Sequence, residues 1–380
     1  MRILRATRNA GADAGDFDRK TQLDGLRALA VTAVLWAHWV PIESHLAGFG
    51  FGELGVNLFF VLSGYLITGI LVDATSADSS NRKSVLFSFY ARRFLRLFPL
   101  YYAFLILLVV LGIPPYREAW LWHAGYLQNF YQQWHGRDMW GSHLWTLAIE
   151  EQFYLLWPIL ILFLGPKLIV PLLGLLVVAA PVSRWLVWTN GWNWDPNLFP
   201  LGANDCLGMG SLLAILQHRV SHSLIVQMLR WVAIVGVVGI ALSLAVDALE
   251  IKALRQTFSA MVFAFVVWHA ARGFRGPLGR MLEWRPAVYL GRISYGVYLI
   301  HGFAPALWLW FYYSCPVPGY RILTRFGITG EPHQSVWMMI IINSVITFSI
   351  ACLSWHFFEG PLNRLKRHFP YGRPLPCSGT

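Results

Sequence analysis

Apolar runs recur along the whole chain, separated by short polar segments. The first extends from Leu26 to Ile42 and is interrupted by Arg27, Thr32 and His38. Nine more follow, at 54–72, 97–113, 144–164, 167–183, 201–216, 231–248, 255–271, 287–310 and 335–357. Several are close to the roughly 20 residues that an α-helix needs to cross the hydrocarbon layer. The pattern predicts an all-α, polytopic integral membrane bundle with about ten transmembrane helices. The run at 201–216 is short and begins beside Asp205, so a tilted or broken helix is expected there. Runs 144–164 and 167–183 are separated only by a tight Gly165-Pro166 turn. Residues 1–25 read as a basic amino-terminal segment, 26–357 as the membrane unit and 358–380 as a basic, proline-containing tail. A cleaved leader needs small residues soon after its apolar stretch. Pro41-Ile42-Glu43-Ser44-His45 does not supply them, so the first run is expected to persist as a membrane helix.

Composition agrees with this pattern. Of 380 residues, 56% are hydrophobic and 13% charged, against about 25% charged in a typical soluble domain. The mean hydropathy is +0.50. Four cysteines, at 206, 315, 352 and 377, are too few and too scattered for a disulfide framework and lack metal-ligand spacing. No metal is expected.

Charge then gives orientation. With the amino terminus inside, 22 of the 30 Lys and Arg fall on inner segments and seven on outer ones, Arg184 among the seven; Arg292 lies near a boundary. That split is what the positive-inside rule expects of an even-numbered bundle with both termini cytoplasmic. The net charge of +11 is thereby explained by topology. No zinc-finger spacing or glycine-rich phosphate loop accompanies it, and no nucleic-acid partner is expected. The expected partner surface is membrane lipid. The longest outer loop, 114–143, carries Trp120, Trp122, Tyr126, Tyr131, Trp134, His135 and Trp140. It suits either a sugar-like acceptor or an interfacial helix lying on the membrane.

Ionisable residues inside a bilayer are functional candidates. Arg27 and His38 stand eleven positions apart in the first run. That is about 16 Å along a helix, on roughly one face. An imidazole there suits a general base, or a packed histidine bonded to a neighbouring helix. Arg92, Arg93 and Arg96 form a cationic cluster ahead of Pro99. Arginine forks there suit phosphate binding or a lipid-headgroup anchor. Glu150 and Glu151 begin another apolar run in His143-Leu144-Trp145-Thr146-Leu147-Ala148-Ile149-Glu150-Glu151-Gln152-Phe153-Tyr154. Adjacent positions do not share a helix face, so one glutamate at most is expected at a given site. Structural ion pairing is the alternative. Asn57 and Ser63, with Gly55 and Gly64, suit a close packing seam or a substrate contact, as do Ser294, Tyr295, Tyr298 and His301. His356 and Glu359 lie close enough in sequence to pair near the last inner boundary.

Taken in order, these motifs resemble the membrane-bound acyltransferase 3 family of bacterial O-acyltransferases. The resemblance runs from about residue 20 to 367 and rests on five further marks besides Leu23-Asp24-Gly25-Leu26-Arg27-Ala28 with His38. They are Gly55 through Ile67, Arg92-Arg93-Phe94-Leu95-Arg96, Trp145 through Pro158, Leu290-Gly291-Arg292-Ile293-Ser294-Tyr295 with His301, and Glu359-Gly360-Pro361-Leu362. Thr146 follows Trp145 where serine is common in the family. The resemblance implies transfer of an acyl group, by default acetyl, from cytoplasmic acyl-CoA to a hydroxyl of a cell-envelope glycan, a glycolipid or another acceptor. It implies residence in the bacterial inner membrane. It makes His38 the catalytic candidate, with Glu150 or Glu151 orienting it, and assigns Arg93 and Arg96, with Arg92 and Arg27, to the acyl-CoA. A covalent acyl-histidine is a variant of the same chemistry. The hydrolase-like carboxyl-terminal extension of some relatives is not expected here. The competing readings are a transporter of a lipid-linked glycan or small solute, and a non-catalytic scaffold.

Overall fold

The computed structural model describes residues 21–40, 50–77, 81–137, 141–314 and 336–371. The basic segment with Arg2, Arg5, Arg8, Arg19 and Lys20, the stretch 41–45 and the tail beyond residue 371 lie outside the described residues.

Each predicted apolar run is helical over most of its described length, and no strand occurs among the described residues. In chain order the helices are α1 (Thr21–Trp39), α2 (Phe51–Ala77), α3 (Arg82–Val110), α4 (Trp120–Ala124), α5 (Gln128–His135), α6 (Trp145–Phe163) and α7 (Pro166–Thr189). They continue as α8 (Pro200–Leu216), α9 (His222–Ala245), α10 (Leu249–Arg272), α11 (Gly276–Leu282), α12 (Arg285–Ile300), α13 (Ala304–Ser314) and α14 (Val336–Ser354). Seven described segments are long and apolar enough to cross a membrane, and they fall on α2, α3, α6, α7, α9, α10 and α14. The protein is thus a polytopic helical membrane protein. The other three runs, α1, α8 and the α12–α13 pair, are shorter or more polar for a physical reason. Eleven of the 19 residues of α1 are buried, and 11 of the 17 in α8, against five of 24 in α9. Interior helices meet protein rather than lipid, so they tolerate Asp24 and Asp205. The outer helix α9 instead exposes Trp231, Ile234, Val237 and Leu244, as a lipid-facing surface requires.

Glycine sets how closely the interior helices meet. A Cβ on Gly291 of α12 would lie 1.9 Å from the Asp24 carbonyl of α1. One on Gly64 of α2 would lie 2.0 Å from the Leu207 carbonyl of α8. Backbone therefore packs on backbone at both crossings, the small-residue mode common between membrane helices. The seam expected around Gly64 is real.

The run at 287–310 is not one helix. It breaks at a 3₁₀ turn, His301–Phe303. Pro305 explains the break. It has no N–H to give the carbonyl four residues earlier, which is that of His301. That carbonyl instead accepts from the Ala304 N–H and, at 3.3 Å, from Trp39 Nε1 of α1.

Residues 138–140, with Trp140, lie outside the described residues; the rest of the loop 114–143 carries α4 and α5 and is pinned by buried amides. Gln128 Nε2 donates to the Leu144 carbonyl at 2.9 Å and Asn129 Nδ2 to that of Leu198 at 2.9 Å. Tyr101 and Tyr102 of α3 donate to the carbonyls of His123 and Ala124, each at 2.8 Å. The loop is therefore a stitched cap on the bundle, with Trp120 and Trp134 left exposed.

Candidate active site

At one end of α1, three arginines from two helices meet around a cavity. Arg27, Arg93 and Arg96 line it, together with Ser63, Glu150 and Tyr154 and an apolar wall that includes Phe59, Phe60 and Leu97. The cavity holds about 710 Å3 of non-atom space, part of it continuous with solvent. Arg27 Nη1 donates to Asp24 Oδ1 at 2.6 Å, one helical turn back. Asp24 is itself buried, and Arg292 Nε lies 3.8 Å from its other oxygen. Arg93 lies over the Tyr154 ring, 4.4 Å from its centroid. Among the described residues neither Arg93 nor Arg96 has a carboxylate within ion-pairing distance. Two guanidinium groups with spare donors thus face one space.

The sequence-nominated groups divide between faces. Glu150 turns into the cavity, and its Oε1 accepts from Ser63 Oγ at 2.6 Å. Ser63 Oγ in turn accepts from Tyr154 OH at 2.8 Å. Glu151 does not line the cavity; it lies within electrostatic reach of Arg93 and of Tyr101, Tyr102, Tyr126 and Tyr295. Arg92 does not line it either, although it stands one helical turn before Arg96. Arg92 Nη1 donates to the carbonyls of Lys366 at 3.0 Å and Phe369 at 3.4 Å, and its guanidinium lies 5.0 Å from the centre of the Tyr371 ring. His356 and Glu359 do not pair with each other. Glu359 Oε1 accepts from Ser354 Oγ at 3.0 Å, while His356 Nδ1 meets the Cys352 carbonyl at 2.9 Å. Both bonds are local, between residues four or five positions apart.

His38 lies toward the opposite end of α1 and is not part of the cavity wall. Its ring is exposed and stands edge-on to two buried imidazoles. The ring centroids are 4.8 Å apart to His301 and 5.9 Å to His143, while those two are 4.3 Å from each other. Neither Glu150 nor Glu151 is hydrogen-bonded to His38. Among the described residues no three His, Cys, Asp or Glu side chains are arranged to hold a metal ion.

Between cavity and histidines lies a thin polar ceiling. Thr146 and Tyr298 both line the cavity, and their hydroxyl oxygens are 2.5 Å apart. Both oxygens also lie within hydrogen-bonding distance of the His143 carbonyl, that of Thr146 at 3.0 Å and that of Tyr298 at 3.1 Å, so the two hydroxyl protons are shared among three contacts. In sequence Tyr298 belongs to a different motif from His143 and Thr146, and their meeting was not visible there.

A second buried charge cluster lies apart from these groups. Arg184 of α7 pairs with Asp205 of α8 at 2.6 Å, both nearly inaccessible. Its other nitrogens donate to the carbonyls of Ala253 and Gly202, and Asp205 also accepts from Thr257 Oγ1 at 2.7 Å. Every donor and acceptor is matched within the protein, which marks this as a structural clasp. Arg184, counted above among loop charges, is thus inside a helix.

The chain belongs to the acyltransferase 3 family, whose acyltransferase domain matches residues 20–357. It is 29% identical over 376 residues to a putative peptidoglycan O-acetyltransferase, YrhL, of Bacillus subtilis, covering 90% of this chain and 54% of that one. It is 29% identical over 378 residues to the peptidoglycan O-acetyltransferase OatA of Listeria monocytogenes, covering 90% and 55%. The O-acetyltransferase OatA of Staphylococcus aureus is 26% identical over 381 residues, covering 90% and 57%. The chain therefore spans about half the length of the curated relatives it matches. No solved structure matches it.

Proposed function

We propose that this protein is a membrane-embedded O-acetyltransferase that moves an acetyl group from acetyl-CoA to a hydroxyl of a cell-wall glycan of the peptidoglycan type. The observation that carries this reading is the placement of Arg93 and Arg96. Both face a cavity whose ceiling, Thr146 and Tyr298, is bonded to the backbone of a residue in the histidine cluster. Arginine forks bind phosphates through charge-assisted bonds, and the apolar wall suits an uncharged pantetheine arm. The arginine end of α1 is then the cytoplasmic side, as the positive-inside count expects, and the membrane is the bacterial inner membrane.

In this mechanism the phosphates of the donor sit on Arg93 and Arg96, and the thioester passes the ceiling toward His38. His38 takes the proton from the acceptor hydroxyl. The oxygen attacks the thioester carbonyl, the carbon–sulfur bond breaks, and the thiolate recovers the proton from the imidazolium. Free coenzyme A and an O-acetyl ester result. Glu150, fixed by Ser63, offsets the charge of the arginines rather than orienting His38, from which both glutamates are separate.

The test is transfer of label from radiolabelled acetyl-CoA to a panel of cell-wall glycans by the purified full chain in liposomes. The expected result is labelled ester in wild type and none in His38→Ala at equal abundance. An active His38→Ala protein would end the reading, and movement of glycan without loss of acetyl-CoA would favour a transporter.

A further inference from the structure

Two imidazoles buried beside His38 carry nitrogens that nothing among the described residues satisfies. His301 Nδ1 lies 2.7 Å from the Tyr298 carbonyl. A carbonyl only accepts, so Nδ1 carries the proton and Nε2 is left with a bare lone pair. His143 Nε2 lies 3.4 Å from the Leu299 carbonyl, which leaves its Nδ1 bare by the same logic. Both bare nitrogens are buried and have no hydrogen-bond partner among the described residues. A buried acceptor without a donor is destabilising by about 1–3 kcal/mol and is rare enough to need a reason. His301 is fully buried, yet its ring is in edge contact with the exposed ring of His38. The break forced by Pro305 and the bond from Trp39 Nε1 to the His301 carbonyl hold that ring against the end of α1.

We propose that His301 is a positioning residue for the transfer, its bare Nε2 serving as the acceptor that holds His38 in place and stabilises the imidazolium when His38 takes the acceptor proton. This rests on the reading of His38 given above. His301 keeps its own Nδ1 proton throughout. The bond broken is the acceptor O–H, the bond formed is N–H on His38, and that proton leaves with the thiolate. The other ionisable groups facing His38 among the described residues are His143, from the segment ahead of α6, and Arg137, from the segment after α5. Arg137 is itself ion-paired to Asp195. Neither offers His38 a lone pair at closer ring distance than His301 does. Second-layer partners of this kind fix the tautomer and direction of a working histidine.

The experiment uses the full chain in detergent, with two substitutions that separate the two ring nitrogens. In His301→Asn the amide nitrogen can still donate to the Tyr298 carbonyl, but nothing reaches His38. In His301→Gln the amide oxygen sits near the lost Nε2 and can still accept. The first readout needs no turnover. Diethyl pyrocarbonate modifies unprotonated imidazole, and peptide mass spectrometry follows the reaction at His38 against pH. The midpoint is expected to fall by about half a unit or more in His301→Asn and to stay near wild type in His301→Gln, since losing a favourable contact makes the charged form less stable. The second readout is acetyl transfer. His301→Asn is expected to lower kcat about 10- to 100-fold with little change in KM for acetyl-CoA, and His301→Gln to recover part of it. A shared midpoint in wild type and His301→Asn overturns the proposal, as does full activity in His301→Asn. Should His301→Asn not yield monodisperse protein, His301→Leu, which has no acceptor, takes its place with the same expectations. If wild type transfers nothing, the proposed function fails while the modification midpoints still decide the role of His301.

Discussion

The carbonyl of Tyr298 holds His301 Nδ1 at 2.7 Å, while the phenol of the same tyrosine closes the arginine-lined cavity. Tyr298 is thus the residue through which the two halves of the site are joined. Its hydroxyl and that of Thr146 share the His143 carbonyl. If the ceiling is one unit, Tyr298→Phe and Thr146→Val will not act independently. Each is expected to lower stability by about 1 kcal/mol, and the double variant by clearly less than the sum. A double-mutant cycle on thermal melts in detergent checks this; strict additivity would show two unrelated bonds.

Arg93 and Arg96 have no carboxylate within ion-pairing distance among the described residues and face one space, so removing either should act on the donor. Arg93→Ala and Arg96→Ala are each expected to raise KM for acetyl-CoA about 10-fold or more, the equivalent of losing one charge-assisted bond. Arg92→Ala, whose partners are the Lys366 and Phe369 carbonyls, is expected to leave that KM within about two-fold while loosening the segment it holds. Steady-state kinetics at two salt concentrations distinguishes the three.

The two glutamates should separate as their faces do. Glu150→Gln is expected to cut transfer about 10-fold, with Ser63→Ala showing a smaller loss through the same contact. Glu151→Gln is expected to leave KM for acetyl-CoA unchanged, because its side chain is outside the cavity. Equal losses from both glutamates would contradict this division.

The Arg184–Asp205 clasp predicts a stability effect without a kinetic one. Asp205→Ala leaves a buried guanidinium unpaired and is expected to cost about 3–5 kcal/mol. Replacing both partners, as Arg184→Met with Asp205→Leu, is expected to recover most of it. The measurement is the melting temperature of each variant; residual activity per folded molecule should be near wild type.

His123 in the cap gives the acid limb of stability. Both its ring nitrogens are buried and have no hydrogen-bond partner among the described residues, and burial holds its pKa down at about 4. An unfolded histidine binds its proton near 6.5. The unfolded state therefore gains a proton first as pH falls. This contribution is fully present above about pH 6.5 and declines toward pH 4, by about 3 kcal/mol in all. His123→Phe is expected to melt with a shallower dependence across that window. An unchanged slope would assign the acid limb to other groups.

Helix existence was legible because lipid demands long apolar runs, and α2, α9 and α14 were therefore plain. Arg27 and His38 were legible for the same reason, as polar positions inside such a run. Hydropathy does not carry the pairing between helices, so His143 and His301 were read in separate motifs although their rings lie 4.3 Å apart. The break at His301 was signalled by Pro305, but the continuous apolar run masked it. Arg184 was assigned to a loop because it directly follows an apolar run. Only its partner on α8 shows that it belongs within the bundle. The split between Glu150 and Glu151 followed from helix geometry; which of them meets the cavity did not.

The contact of Gly291 with the Asp24 backbone sits near one end of α1, whereas His38 stands fourteen residues further along the same rod. Such a fulcrum converts a small wedge into a large sweep. A single methyl group at Gly291 would tilt one rod against the other, and the distal tips, which bear His38 and His301, would travel furthest. Gly291→Ala should therefore damage the alignment of two imidazoles that it never touches, by leverage alone.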